Sequence, residues 1–368
     1  MLPDPRPYFA DLGDPRRDTR NKLHKLSDIL MIVFCAVLSG IEEWVGMEEF
    51  AEQKEGWFRG FLELPNGIPS HDTLSDVFGR LKPEAFAESF LRWVQAALPS
   101  LAGEQVCLDG KTLRGSRVGE RAVHLLSAYA AKARLVLAQQ AVADKTNEIT
   151  AIPDLLALLE LPGAVVTIDA MGCQKAIART LVEAGADYVL ALKDNHPTLS
   201  EEVRLWLAAE TARGRLPQPE TVEKGHGRIE IRRYALSEQI EWLAPKPEWA
   251  GLRAVGRVES TRLSGGKTNT ECRYDLCSFT DPTRVAAAVR GHWGIENGQH
   301  WVLDVQFGED DNRARRDHSA ENLALVRRMA LNVIRYNGPS KDSLRRRKLR
   351  ASLNHGYRAH LIFGTQST

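Results

Sequence analysis

Two short apolar runs, each closing on an aspartate, constrain this chain more than any other feature. They read VCLDGKTLRGS, with Asp109, and VVTIDAMGCQKA, with Asp169. A third acid, Glu296, follows much later in RGHWGIENGQHWVLDV, between two tryptophans. An ionised carboxylate at the end of a buried strand is costly unless a cation matches it or a proton neutralises it. Taken singly, each acid reads equally well as the cap of a strand or of the next helix. Three such acids brought together make a hard, oxygen-rich site suited to magnesium or manganese.

The surrounding pattern points to an α/β chain preceded by helices. Apolar residues recur at helical spacing over Leu26–Gly40, Trp44–Phe61, Ser70–Leu81 and Pro83–Leu98. Ser70 or Asp72 can cap the third of these helices, and Pro83 stands where a first-turn proline costs nothing. Such a bundle is open to two readings, a helix-turn-helix DNA reader or a dimerisation scaffold. After Pro99 the period changes to strand-like runs at 105–109, 122–130 and 134–143. A helix near 150–160, a strand at 164–169, a helix at 174–184 and a strand at 187–192 follow, which predicts a mixed sheet with helices on its faces. Asp109 and Asp169 then stand at the carboxyl ends of their strands, where open α/β sheets place their chemistry. Residues 196–285 read as a β-rich insertion, and a long helix starts near Pro282 and runs through Trp301. At 100° per residue, Trp293, Glu296, Asn297, His300 and Asp304 share one arc of it, opposite Ala288, Ile295 and Val302.

Charge is distributed unevenly. Between Arg313 and Arg350 twelve Lys and Arg stand against Asp317, Glu321 and Asp342, a balance of +9 in a chain whose formal net charge is +1, so the remainder carries −8. That asymmetry suggests a basic surface for nucleic acid beside an acidic pocket. Five scattered cysteines argue against a disulfide framework, and Cys272 and Cys277 have no second pair for a zinc site. The longest apolar run, Ile29–Leu38, is too short to span a bilayer, and the polar opening lacks the form of a signal peptide. These features imply a cytoplasmic protein.

HKLSDIL, EEFAEQKE, NGIPSHDTLSDVFGRL, LDGKTLRGS, VVTIDAMGCQ, YVLALKDNHPTL, EKGHGRIEIRRY and HWGIENGQHWVLDVQFGEDDNRAR together resemble the bacterial Asp-Asp-Glu transposases of the H-repeat-associated, insertion-sequence As type. The likeness runs from about residue 5 to 335. It implies an RNase H-like mixed sheet with flanking helices, a β-rich insertion before the last catalytic helix and an N-terminal helical domain. The expected domains are 1–100 (DNA-binding or dimerisation), 101–312 (catalytic, with its insertion at about 196–285) and a basic helical segment at 313–368. By the resemblance, Asp109, Asp169 and Glu296 are the metal-binding triad, holding two Mg²⁺ or Mn²⁺ ions that cut and rejoin double-stranded DNA at an element's terminal inverted repeats and in target DNA. Relatives in the wider superfamily carry a tyrosine, an arginine and a lysine around the last acid. Here those places hold Val289, His292 and Leu303, so Asn297 and His300 are the substitutes expected to serve there.

Lys111, Arg114, Lys193, Lys224, Arg228, Arg232, Trp293, Asn297 and His300 are the candidate DNA contacts. A homodimer on DNA is expected by analogy, because two element ends must be held together, and association with the nucleoid follows. Two alternatives remain open at this stage: an RNase H-fold nuclease without strand transfer, and a catalytically silent DNA-binding protein derived from a transposase.

Overall fold

A computed structural model describes residues 1–18, 22–142, 148–193, 195–225, 227–339 and 341–364. Ala143 at the end of the expected third strand, Asp194 in YVLALKDNHPTL and His226 in EKGHGRIEIRRY lie outside the described residues. The strands are β1 (Gln105–Thr112), β2 (His124–Ala130), β3 (Leu135–Ala141), β4 (Val165–Ile168), β5 (Asp187–Leu192), β6 (Glu220–Gly225), β7 (Arg228–Ser237), β8 (Ala254–Ser264) and β9 (Lys267–Cys277). The chain divides into two compact units, one of residues 1–100, 110–147 and 296–368, the other of residues 101–109 and 148–295.

The first unit is mainly helical. Leu26–Leu38 is apolar on nearly every side and is buried throughout except at Ser27, as expected of a helix at the centre of a bundle. The segment read as one helix over Trp44–Phe61 is two, Trp44–Gln53 and Glu55–Phe58, interrupted at Lys54. The Ser70 hydroxyl caps the helix His71–Arg80 by accepting from the Thr73 N–H, and Pro83 opens Pro83–Ala97. Phe86, Phe90, Trp93 and Val94 of that helix are all buried. The helix Ser319–Tyr336 ties these parts together through two asparagines. Asn322 donates to the Phe78 and Leu81 carbonyls at 2.8 and 2.9 Å. Asn332 exchanges bonds with the Val136 backbone at 2.9 and 2.8 Å, fixing the β2–β3 hairpin. The end beyond Asn337 is folded as Leu344–Leu353 and His355–Phe363, and the Asn337 side chain donates to the Leu361 carbonyl at 2.7 Å.

In the second unit the strand order is β1-β4-β5-β9-β8-β7-β6. β1, β4 and β5 run parallel, and the four others extend the sheet antiparallel from β5. Helices Glu148–Ala157, Lys175–Glu183, Pro197–Ala212 and Pro282–Ile295 accompany them. The whole is a mixed α/β fold of the RNase H-like kind with an N-terminal helical region.

Three expectations need correction. The stretch 196–285, read as β-rich from its start, opens with the helix Pro197–Ala212, because its Leu199, Val203 and Leu207 bury one face at helical spacing. β1 does not stop at Asp109 but continues to Thr112, although its pairing with β4 ends at Leu108 and Ile168. The last long helix is not continuous: Pro282–Ile295 gives way to a π turn, Glu296–His300, before Trp301–Phe307.

The helix Pro282–Ile295 approaches the sheet through Val285 and Ala288, which pack on Val189, Ala254, Cys277 and Phe279. The Gln105 amide donates to the Ala288 carbonyl at 2.7 Å, and a Cβ at Gly291 would fall 2.0 Å from the Gln105 Oε1. A side chain there would push the Gln105 amide off the Ala288 carbonyl. Gly291→Ala is expected to destabilise the protein by about 1–3 kcal/mol through overpacking, read as a lowered midpoint in chemical denaturation, with Gly67→Ala as a control for turn strain in open space.

Candidate active site

Asp109 and Asp169 lie one residue past the last paired positions of neighbouring parallel strands, Leu108 and Ile168. The division between the two units falls within β1, so Asp109 is one peptide bond from the unit that holds Glu296 and His300. Asp109, Glu296 and His300 each present one ligand atom, and the three atoms lie within 4.8 Å of one another. Glu296 is exposed, Asp109 half-buried and His300 buried. Two carboxylates and one imidazole at that spacing form a candidate metal-binding site.

Burial, with the charges of Arg328, Lys111 and His124 nearby, pulls the His300 imidazole down to about 3. It is therefore neutral at physiological pH and keeps a lone pair for a metal. The sequence places His300 among the DNA contacts and as a substitute beside the last acid; the ring is buried, at the end of the π turn Glu296–His300.

Asp169 stands outside that three-residue cluster. Its Oδ1 accepts from the Met171 and Gly172 N–H groups at 3.1 and 3.3 Å, the turn-capping arrangement. Burial raises its carboxyl above the usual range. The Gly172 and Met171 N–H groups and Lys193 oppose that rise, and Glu148 adds to it. Glu148, on the helix Glu148–Ala157, is an acid that the sequence pattern did not single out.

Lys111 is not available to a phosphate as expected. It is buried, and its ammonium pairs with Asp304 and, at 3.5 Å, with Asp310. Arg232, also proposed for DNA, is mostly covered and pairs with Glu230 and Glu223 at 2.7 and 3.3 Å. Arg114 is 82% exposed and lies 3.5 Å from Asp310. Lys193, Lys224, Arg228 and Asn297 are exposed. Trp293 is 41% exposed, with the Arg273 guanidinium stacked 4.3 Å from its ring centre. The basic run is partly internal: Arg327, Arg328 and Arg347 are buried, and Lys348 reaches Glu42 and the Gln306 carbonyl. Arg328 forms a fully buried pair with Glu309 at 2.6 Å. The basic surface at 313–350 is thus carried by Arg313, Arg315, Arg316, Lys341, Arg345, Arg346 and Arg350. At the three places where the wider superfamily differs, Leu303 is buried, Val289 packs at the edge of the helix–sheet core, and the His292 Nδ1 lies 3.0 Å from the Thr167 hydroxyl.

The model of the Transposase DDE domain matches residues 101–333, and that of the DDE_Tnp_1-associated region matches residues 7–94. The chain belongs to the DDE transposase family. It is similar to the H repeat-associated putative transposase YhhI of Escherichia coli (strain K12), 36% identical over 362 residues that cover 95% of either chain. The Putative transposase YncI of Escherichia coli O157:H7 is 37% identical over 362 residues, 95% of this chain and 92% of that protein. An uncharacterized protein in the dhlA 3' region of Xanthobacter autotrophicus is 51% identical over 288 residues, 77% of this chain and 97% of that one. Among solved structures, a piggyBac transposase synaptic complex aligns over 97% of this chain and 76% of that chain at 12% identity, with a TM-score of 0.40, too low to carry weight. With the acidic cluster, membership makes the chain an enzyme of the DDE transposase type, which cuts and transfers DNA strands with a divalent metal. No helix of the described residues is long and apolar enough to cross a membrane.

Removing the Lys111 ammonium leaves two partly buried carboxylates without their cation. Lys111→Met is expected to cost about 1–3 kcal/mol of stability while leaving DNA affinity and its salt dependence unchanged. A reduced salt slope in filter binding would return Lys111 to the phosphate contacts.

Proposed function

We propose that this chain binds double-stranded DNA as a homodimer, cuts it at the terminal inverted repeats of an insertion element, and joins the freed ends to target DNA. The observation that carries this reading is the Asp109, Glu296 and His300 cluster in a chain of the DDE transposase family. In it, Asp109, Glu296 and the neutral His300 would hold a divalent ion, with Asp169 as the further acid of a two-ion site. When bound, such ions activate an attacking oxygen and offset charge at the leaving oxygen of a phosphodiester. The protein's own part is positioning. β1 and β4 carry the two aspartates one residue past their last paired positions, and the π turn carries Glu296 and His300. Arg114, Lys193, Lys224, Arg228 and Asn297 contact the DNA backbone, and Trp293 offers an apolar face beside it. The helices of 1–100 serve end recognition or dimerisation, 101–312 catalysis, and the exposed arginines of 313–368 backbone binding.

Purified protein is expected to cleave DNA carrying the element's ends only with Mg²⁺ or Mn²⁺. Asp109→Asn, Asp169→Asn and Glu296→Gln should each abolish cutting with melting behaviour intact. Wild-type cleavage by any one of them removes that residue from the site. Cleavage of pre-cut ends without joining to a target plasmid would instead mark a nuclease, and no bound metal with or without DNA a silent DNA-binding protein. Removing the charges of Arg345, Arg346 and Arg350 together should weaken binding to any sequence about equally and flatten its salt dependence by roughly one phosphate contact each. A loss confined to the terminal repeat, seen by gel shift against random DNA, would show base reading there.

A further inference from the structure

The helix bearing Glu296 departs from α geometry where the acid sits. Glu296 and His300 are the first and last residues of a π turn, and their Oε2 and Nδ1 atoms stand 3.8 Å apart. A π turn takes backbone groups off the regular helical ladder, so it persists only where the surroundings hold it.

Within the first unit three features converge on Gly298, at the middle of that turn. Arg335, in the last turn of Ser319–Tyr336, donates from its guanidinium to the Gly298 carbonyl and, at 3.4 Å, to the Tyr129 hydroxyl. A Cβ at position 298 would lie 2.7 Å from that hydroxyl and 3.2 Å from the ring carbon bearing it, so glycine alone fits. The β2–β3 register shifts between Ala128 and Tyr129, and a bulge of this kind re-aims the side chain beside it. Burial draws the Arg335 guanidinium down to about 10, which leaves it charged at neutral pH. Its bond to the carbonyl is therefore charge-assisted and stronger than a neutral one.

We propose that Arg335 and Tyr129 are positioning residues for Glu296 and His300, acting by holding the π turn from which both project. The inference rests on the metal-site reading above. If the turn reverted to α-helix, the tighter winding of the four steps from Glu296 to His300 would turn the two side chains relative to one another, and the residues after them relative to those before.

The test is Mn²⁺ binding to the full-length protein, followed by the electron paramagnetic resonance signal of free Mn²⁺, with melting temperature and metal-free DNA binding as controls. Arg335→Met is expected to weaken Mn²⁺ binding about tenfold, with Arg335→Lys recovering part of the loss. Tyr129→Phe should weaken it by roughly two- to threefold, since it removes one acceptor while keeping the ring. Both controls should match wild type for Tyr129→Phe. Wild-type Mn²⁺ affinity in Arg335→Met and Tyr129→Phe alike overturns the proposal, whatever their melting temperatures. Where Arg335→Met does not fold, an unshifted titration for Tyr129→Phe overturns it alone. Absence of Mn²⁺ binding by the wild type, even with DNA ends present, defeats the metal-site reading itself; wild-type binding with unshifted variants defeats only the positioning role.

Discussion

The burial of Lys111 between Asp304 and Asp310 is the interaction around which the helical unit's share of the site is organised. A buried ammonium is tolerable only with partners of opposite charge. The lysine two residues beyond Asp109 must therefore stay near the helix end that follows Glu296 and His300. The pair thereby fixes where the strand's last residues and the turn after Phe307 stand relative to one another. The same logic recurs nearby, with Arg328 on Glu309 and Arg327 on Glu42. Such pairs add little net stability compared with an apolar core, but breaking one is expensive, so they specify an arrangement more than they strengthen it.

Close backbone approach is the second constraint. Gly115 leaves no room for a Cβ against the Asn312 and Asp310 carbonyls, which would lie 2.1 and 2.7 Å away, and the Arg315 guanidinium donates to the Gly115 carbonyl at 3.0 Å. At Gly298 and Gly291 it is a side chain, Tyr129 and Gln105 respectively, that comes against the glycine. In each case the missing side chain lets a segment near the acids settle against its neighbour at contact distance. Rigidity of this kind suits a site whose chemistry depends on where carboxylates are held.

Most elements are legible in the sequence, because strand and helix periods and helix-start residues are local signals. Ser70 and Pro83 do what their positions imply, and the apolar runs at 105, 165 and 187 are parallel neighbours as their alternation with helices suggests. The helix Pro197–Ala212 is not legible there, because its charged face hides a short apolar one. The arginines between 313 and 350 look alike in sequence as a basic surface, whereas Arg327 and Arg328 are buried against Glu42 and Glu309. A carboxylate such as Glu42 or Glu309 gives no sign in sequence that it will neutralise an arginine many residues away.

What the sequence determined by itself is the set of groups: two aspartates carried by adjacent apolar runs, an acid on a late helix, and the motif combination that marks the DDE transposase family. Those follow from residue type and short-range period, which survive without coordinates. The tertiary structure alone decided which groups meet. It turned His300 inward beside Asp109 and Glu296, gave Asp169 the N–H groups of its own turn, and withdrew Lys111 from solvent. The reason is physical: a π turn changes helical phase, and a buried charge seeks whichever opposite charge the fold brings near. Neither is encoded at a spacing that a linear pattern can show.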